Sequence, residues 1–174
     1  GTLAAFGKES GLFRDVEVRR MGRGEGGPFQ MRVKVAGRPF NLVDVGYGVS
    51  QALPIVVDAL RGKEGSTYLL QQPEVHLHPK AQAELASFFA LLAKQGKKQF
   101  LIETHSDHLV DRIRMEVRKG GLLKPEDVSL LYFERRDGSV RIHEIELDEL
   151  GNIVNPPRGY RQFFLNEERR LLGI

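Results

Sequence analysis

Two short apolar runs, each closed by a burst of polar residues and followed by a helical pattern, constrain this chain more than any other feature. Thr67 to Leu70 and Phe100 to Ile102 are brief and bounded by turn residues, as buried parallel strands are. Between them Pro79 suits the first turn of a helix reaching about Lys94, with Leu85, Phe88, Phe89 and Leu92 on one face. Ser106 is placed to cap a second helix to about Arg118, with Leu109, Ile113 and Val117 inward. Strand, helix, strand, helix in that order implies right-handed crossovers in a parallel sheet.

The flanking sequence adds a ribbon and a tail. Leu12 to Arg20 and Gln30 to Val35 read as strands joined by the glycine loop Gly22 to Pro28, and Phe40 to Val43 is a short extended piece. Gly46-Tyr47-Gly48 is a turn, after which Ser50 begins a helix to about Leu60. Val128 to Glu134 and Val140 to Leu147 form a hairpin about Asp137-Gly138, and we expect this antiparallel pair to end the sheet. A charged helix from about Arg161 to Leu172 closes the chain. The fold class is therefore α/β: a mainly parallel sheet flanked by helices, a leading β-ribbon, and a C-terminal hairpin plus helix. Residues 1–150 are expected to form one lobe and 151–174 an extension.

Composition removes several function classes. A chain of 174 residues, 41% hydrophobic, can bury a substantial core. Its 26 Lys and Arg against 23 Asp and Glu leave a net charge of +3, too mild to argue for nucleic acid. The absence of cysteine excludes disulfides, thiolate metal sites and a thiol nucleophile. No stretch approaches the ~18 apolar residues a membrane span needs. The opening Gly1 to Phe6 carries no basic leader, so a cytoplasmic location is the expectation.

The unusual polar residues gather at three strand-to-helix junctions: Gly46 to Gln51, Gln71 to Pro79, and Glu103 to His108. Ligands of open α/β sheets bind at the carboxyl ends of the strands. At the first junction the glycines permit close backbone approach, and Ser50 with Gln51 heads a helix whose free N–H groups can hold a phosphate.

In sequence order, VGYGVSQALPI, LLQQPEVHLHP and IETHSDHL resemble the signature, the Walker B strand with its D-loop, and the switch-histidine segment of ABC-type ATPase heads of the RecF, SMC and OLD (overcoming lysogenization defect) group. The nearest likeness is to bacterial AAA-labelled ATPases ending in a short domain of unknown function, whose continuation DELGNIVNPPRGYRQFF resembles. The resemblance covers roughly residues 40–165 and implies ATP and Mg²⁺ as ligands and a head-to-head homodimer.

Carried over by position, it assigns Gly48, Ser50 and Gln51 to the signature, which in these heads meets the γ-phosphate of ATP held by the partner protomer. Gln71 falls at the Walker B acid that supports Mg²⁺, and Gln72 at the catalytic glutamate. Both are amides, which can orient water or join a metal's outer shell but cannot act as general base. Glu74 is the nearest carboxylate that could compensate. His105 would sense the γ-phosphate, with His76 and His78 in the D-loop at the dimer seam.

No G-x-x-x-x-G-K-[ST] occurs in the chain. It therefore holds no cradle for the α- and β-phosphates and no lysine for the β/γ pair. With Gly1 in place of an initiator Met, we expect a C-terminal half that needs a phosphate-loop lobe, and one inactive alone.

Two other readings compete. His76, His78, His105, Asp107 and His108 offer five ligand-type side chains for a metal-dependent hydrolase. Arg112, Arg114, Arg118 and Lys119 offer a non-catalytic DNA-binding face, although Asp111 and Glu116 interleave them as on an ordinary solvated helix.

Overall fold

The computed structural model describes residues 1–22, 27–118 and 122–173. Positions 23–26 of the expected glycine loop, and Lys119, lie outside the described residues. The chain divides into two compact units, Gly1–Ile113 and Arg114–Ile174.

The first unit opens with a helix that the sequence reading does not anticipate, α1 (Thr2–Ser10). Nine residues containing a glycine are marginal as an isolated helix, so packing has to supply the stability. Phe6 does so, with ring centroids 6.3 Å from Phe13 and 5.5 Å from Phe88. Gly11, left-handed at φ 75°, ends the helix by donating its N–H to the Lys8 carbonyl.

The ribbon follows as β1 (Asp15–Arg20) and β2 (Phe29–Lys34), antiparallel in the register Asp15 to Lys34, with β3 (Pro39–Asn41) added beside β2. On this ribbon Lys34 pairs with Glu17, whose hydrogen bond and charge hold the ammonium above its usual range.

α2 (Tyr47–Arg61) starts three residues before the expected Ser50. Gly46 serves as the N-cap without a side-chain hydrogen bond, so the glycine turn has become the first helical turn. Val49, Ala52, Leu53, Val56 and Ala59 recur at helical spacing and are buried. Pro54 lies inside this helix and has no N–H to give the Ser50 carbonyl.

β4 (Thr67–Gln71) and β5 (Gln99–Glu103) pair in parallel from Thr67 beside Gln99 to Gln71 beside Glu103. The crossover between them is α3 (Pro79–Gly96), with Pro79 in its first turn and Leu85, Phe88, Phe89 and Leu92 buried as expected. Inward side chains Tyr68, Leu70, Phe100 and Ile102 pack against the core around Phe89. The outward set corrects the sequence reading: Leu69 is 75% and Leu101 68% exposed, so these strands bury one face only.

α4 (Asp107–Arg118) begins where expected, with Ser106 Oγ accepting the Leu109 N–H at 3.1 Å.

The second unit contains β6 (Leu130–Arg136), β7 (Ser139–Leu147) and β8 (Ile153–Val154) in an antiparallel sheet of that order, then α5 (Gln162–Leu172). Asp137 at φ 49° and Gly138 at φ 78° make the tight turn that Asp-Gly predicts. The hairpin does not close the parallel sheet; it belongs to a separate sheet with its own third strand. The fold is α/β, but "mainly parallel" is corrected: among the described residues only β4 and β5 are parallel, and the other six strands pair antiparallel.

Candidate functional site

All three polar junctions belong to the first unit, and the backbone explains how they meet. Gln72, at φ 45°, turns the chain out of β4 while its N–H still donates to the Glu103 carbonyl of β5 at 2.8 Å. A tight turn follows, in which the Val75 N–H donates to the Gln72 carbonyl and the Leu77 N–H to the Glu74 carbonyl. His76 sits within it at φ 67°. Non-glycine residues in this left-handed region cost roughly 1–2 kcal/mol each, and such strain persists only where the surroundings enforce it.

Glu74 supplies much of that enforcement. Its side chain is folded back and only 5% of the residue is exposed. One carboxylate oxygen accepts the Thr104 hydroxyl at 2.6 Å and the His105 backbone N–H at 3.1 Å; the other is buried, with no hydrogen-bond partner among the described residues. Thr104 Oγ1 in turn accepts the Ser106 N–H at 3.0 Å. The Ser106 hydroxyl donates to Gln82 Oε1 at 2.6 Å, and Gln82 Nε2 donates to the Leu77 carbonyl at 2.9 Å. This chain of bonds starts and ends on the 72–77 turn and runs through the β5–α4 junction and the first turn of α3. The two junctions therefore form one polar unit joined by internal hydrogen bonds.

The start of α2 rests on the same turn. A Cβ at Gly48 would lie 2.9 Å from the His76 carbonyl oxygen and 3.3 Å from Leu77 Cδ2, so only glycine lets the helix approach this closely. The Tyr47 and His76 rings sit 5.6 Å apart. Ser50 Oγ donates to the Tyr47 carbonyl at 3.0 Å, which leaves its lone pairs unused within the helix, and Gln51 is half-buried beside it.

The remaining site candidates divide by exposure. Gln71 ends β4 on the outward face, in register with Glu103. His76, His78 and His105 are exposed, with His78 Nδ1 accepting the Lys80 N–H at 3.3 Å as the cap of α3. Sequence reasoning missed Thr104, Ser106 and Gln82 as site-builders. Thr104 and Ser106 lie inside a recognised polar cluster, but no local signal marks Gln82, since its role depends on the crossover bringing α3 under the turn.

The hydrolase reading requires its ligand-type side chains to converge. Among the described residues no group of three or more His, Asp or Glu side chains is placed to hold a metal ion. The DNA-binding face is partly committed elsewhere: Arg112 Nη1 bonds Glu84 and Ser87 at 2.9 Å each, and Arg114 Nε bonds the Gly151 carbonyl at 2.9 Å. Among the described residues no helix is long and apolar enough to cross a membrane.

Comparison with known proteins gives a family and a fold. Residues 11–111 match the family described as "AAA domain, putative AbiEii toxin, Type IV TA system", and residues 123–169 match a "Protein of unknown function (DUF3696)". No curated protein matches the chain. Among solved structures, a chain from work on ATP-driven dimerization and DNA-stimulated activation of SMC ATPases is similar at TM-score 0.57 and 15% identity. That match covers 97% of this chain and 93% of the other. An Smc head domain of Pyrococcus furiosus, with an extended coiled coil and bound to the C-terminal domain of ScpA, is similar at TM-score 0.56 and 12% identity over 97% of this chain. One from Pyrococcus yayanosii gives 0.56 and 14%, again over 97%. This chain spans only 36% and 29% of those two longer chains. At such identities the likeness is one of fold, that of an SMC ATPase head. The matched family model spans more than half of the chain and takes in all three junctions, and the chain belongs to this AAA family of ABC-type ATPase domains.

Proposed function

We propose that this chain is the half of an ABC-type ATPase head that completes an ATP site across a dimer, with another lobe supplying the phosphate loop. The observation that carries the reading is the convergence of the three junctions. The α2 start rests on the 72–77 turn through Gly48, and that turn is tied to the switch junction through Glu74. A shift in any one of the three must move the others, which is what nucleotide-coupled closure needs. The SMC ATPases of one similar structure undergo ATP-driven dimerization.

In this reading the first-turn N–H groups of α2, with Gly48, Ser50 and Gln51, meet the γ-phosphate of ATP held by the opposite head. The lone pairs left on Ser50 Oγ, and an amide at Gln51, suit a phosphate and its water. His105 faces the phosphate held by its own head, with its backbone fixed by Glu74. His76 and His78 form the seam. Mg²⁺, when bound with ATP, neutralises phosphate charge, and Gln71 at the end of β4 would contribute an amide oxygen near it. Gln72 orients water rather than deprotonating it, because an amide has no basic site. The assembly therefore uses ATP chiefly to hold two heads together and turns it over slowly.

The test is Ser50→Arg in the complete head, this chain together with the phosphate-loop lobe. We expect ATP binding to persist while ATP-driven dimerisation, followed by light scattering, is lost. Normal dimerisation and turnover by that variant would sink the assignment.

A further inference from the structure

On the reading just proposed, one chemical requirement is unmet: Mg²⁺ bound with ATP favours at least one protein carboxylate, and residues 71 and 72 are both amides. We infer that Glu103 supplies it, so that the acid of this ATP site stands at the end of β5 instead of β4.

The pairing of the two strands carries the inference. Thr67, Leu69 and Gln71 face outward on β4, and Gln99, Leu101 and Glu103 do so on β5. Gln71 and Glu103 are register partners, so their side chains leave the same face from backbones about 4.8 Å apart. Both stand at the carboxyl ends of the parallel strands, where α/β sheets bind ligands.

The other acids of these junctions are placed differently. Glu74 is buried, with one oxygen spent on Thr104 and His105, and Asp107 is half-buried a helix start further on. Glu103 is exposed, and among the described residues its carboxylate has no hydrogen-bond or ion-pair partner. Its backbone is nevertheless fixed, because its carbonyl accepts the Gln72 N–H at 2.8 Å.

Charge explains the amide at 71. Two carboxylates side by side on neighbouring strands repel one another. An acid at 103 therefore favours a neutral residue at 71, and the pair as found keeps one negative charge with an amide oxygen beside it. Hard oxygen ligands of this kind suit Mg²⁺, with phosphate oxygens and water completing the shell. Glu103 also lies one residue before Thr104 and two before His105, so the carboxylate and the switch histidine share one backbone segment. A head that loses its metal would loosen the segment that senses the γ-phosphate.

The experiment uses the complete head and Mn²⁺ as the probe, with ATP-driven dimerisation followed as free Mn²⁺ is raised and ATP binding measured separately in EDTA. Glu103→Gln is expected to raise the Mn²⁺ needed by about tenfold or more, while ATP binding in EDTA is unchanged. Adding Gln71→Asp to that variant moves the acid back to β4 and is expected to restore most of the loss. A purely structural role would not be rescued from the neighbouring strand. If Glu103→Gln titrates as the unaltered head does while Ser50→Arg still blocks dimerisation, Glu103 is an ordinary solvated acid and the inference alone fails. If the unaltered head neither binds ATP nor dimerises, the functional reading fails and takes the inference with it.

Discussion

The turns that leave β4 and β6 are both left-handed, yet they are built on opposite principles. Between β6 and β7 the left-handed positions are Asp137 and Gly138, residues that adopt such angles at little cost, and the turn is exposed and closed by local bonds. Beyond β4 the left-handed positions are Gln72 and His76, which favour other conformations and are held by Glu74, Thr104, Ser106 and Gln82 from elsewhere in the fold. A turn that only reverses the chain can use residues suited to it. One that carries amides and imidazoles at such positions relies on distant packing to hold them.

The largest effect should come from the second unit's other turn, where local closure meets a packed neighbour. Gly151 is left-handed at φ 71°, and a Cβ there would run into the Arg114 backbone carbonyl. Gly151→Ala is expected to cost about 3 kcal/mol through overpacking and backbone strain. Urea unfolding of the second unit measures it, and an unchanged midpoint would mean that the contact gives way freely.

Glu74→Ala tests the distant support directly. Leaving Thr104 and the His105 N–H without their acceptor should destabilise the first unit by about 2 kcal/mol. Hydrogen exchange at residues 72–77 should rise with it. If exchange stays slow there, the turn holds itself and the contrast between the two turns collapses.

A pair of substitutions with opposite signs sharpens the contrast. Gln72→Gly removes left-handed strain and should stabilise the first unit by up to about 1 kcal/mol, less what glycine's freedom in the unfolded chain takes back. Gly138→Ala imposes such strain and should destabilise the hairpin by about 1 kcal/mol. Like signs from thermal melts would contradict the comparison.

The smallest effect is a pH response in the β7–β8 turn. The Asn152 side chain donates to the Asp148 carboxylate at 2.9 Å and the Asn152 N–H at 2.8 Å; with the Leu150 N–H and the charge of Arg114, they hold it below the ordinary Asp value of 3.8. The folded value lies below the unfolded one. The turn's contribution is thus complete above the unfolded value and lost as pH falls through the folded one. Titration by NMR below pH 4 should show Asp148 protonating later than free Asp, and Asp148→Asn should remove that response.

The sequence displayed the parts of this protein whose causes are local. Asp137-Gly138 announced its hairpin, Pro79 and Ser106 announced the starts of two helices, and helical spacing picked out Leu85, Phe88, Phe89 and Leu92 as core. It misjudged elements whose stability comes from partners. α1 exists because Phe6 finds Phe13 and Phe88, and α2 begins at Tyr47 because Gly48 can lie against the His76 carbonyl. The outward faces of β4 and β5 were equally hidden, since a short apolar run reads the same whether it is covered on one side or two.

By itself, then, the sequence determined the order of strands and helices and displayed three polar segments, VGYGVSQ, LLQQPEVHLHP and IETHSDHL, all of which lie inside the region that matches the ATPase family. Periodicity and turn chemistry act over a few residues and can be read within that span. Tertiary structure alone decided that Glu74 folds under the turn and that Glu103 stands in register with Gln71. Both outcomes depend on the crossover through α3, which brings residues about thirty positions apart into contact, and no pattern within either segment encodes the register in which the two strands meet.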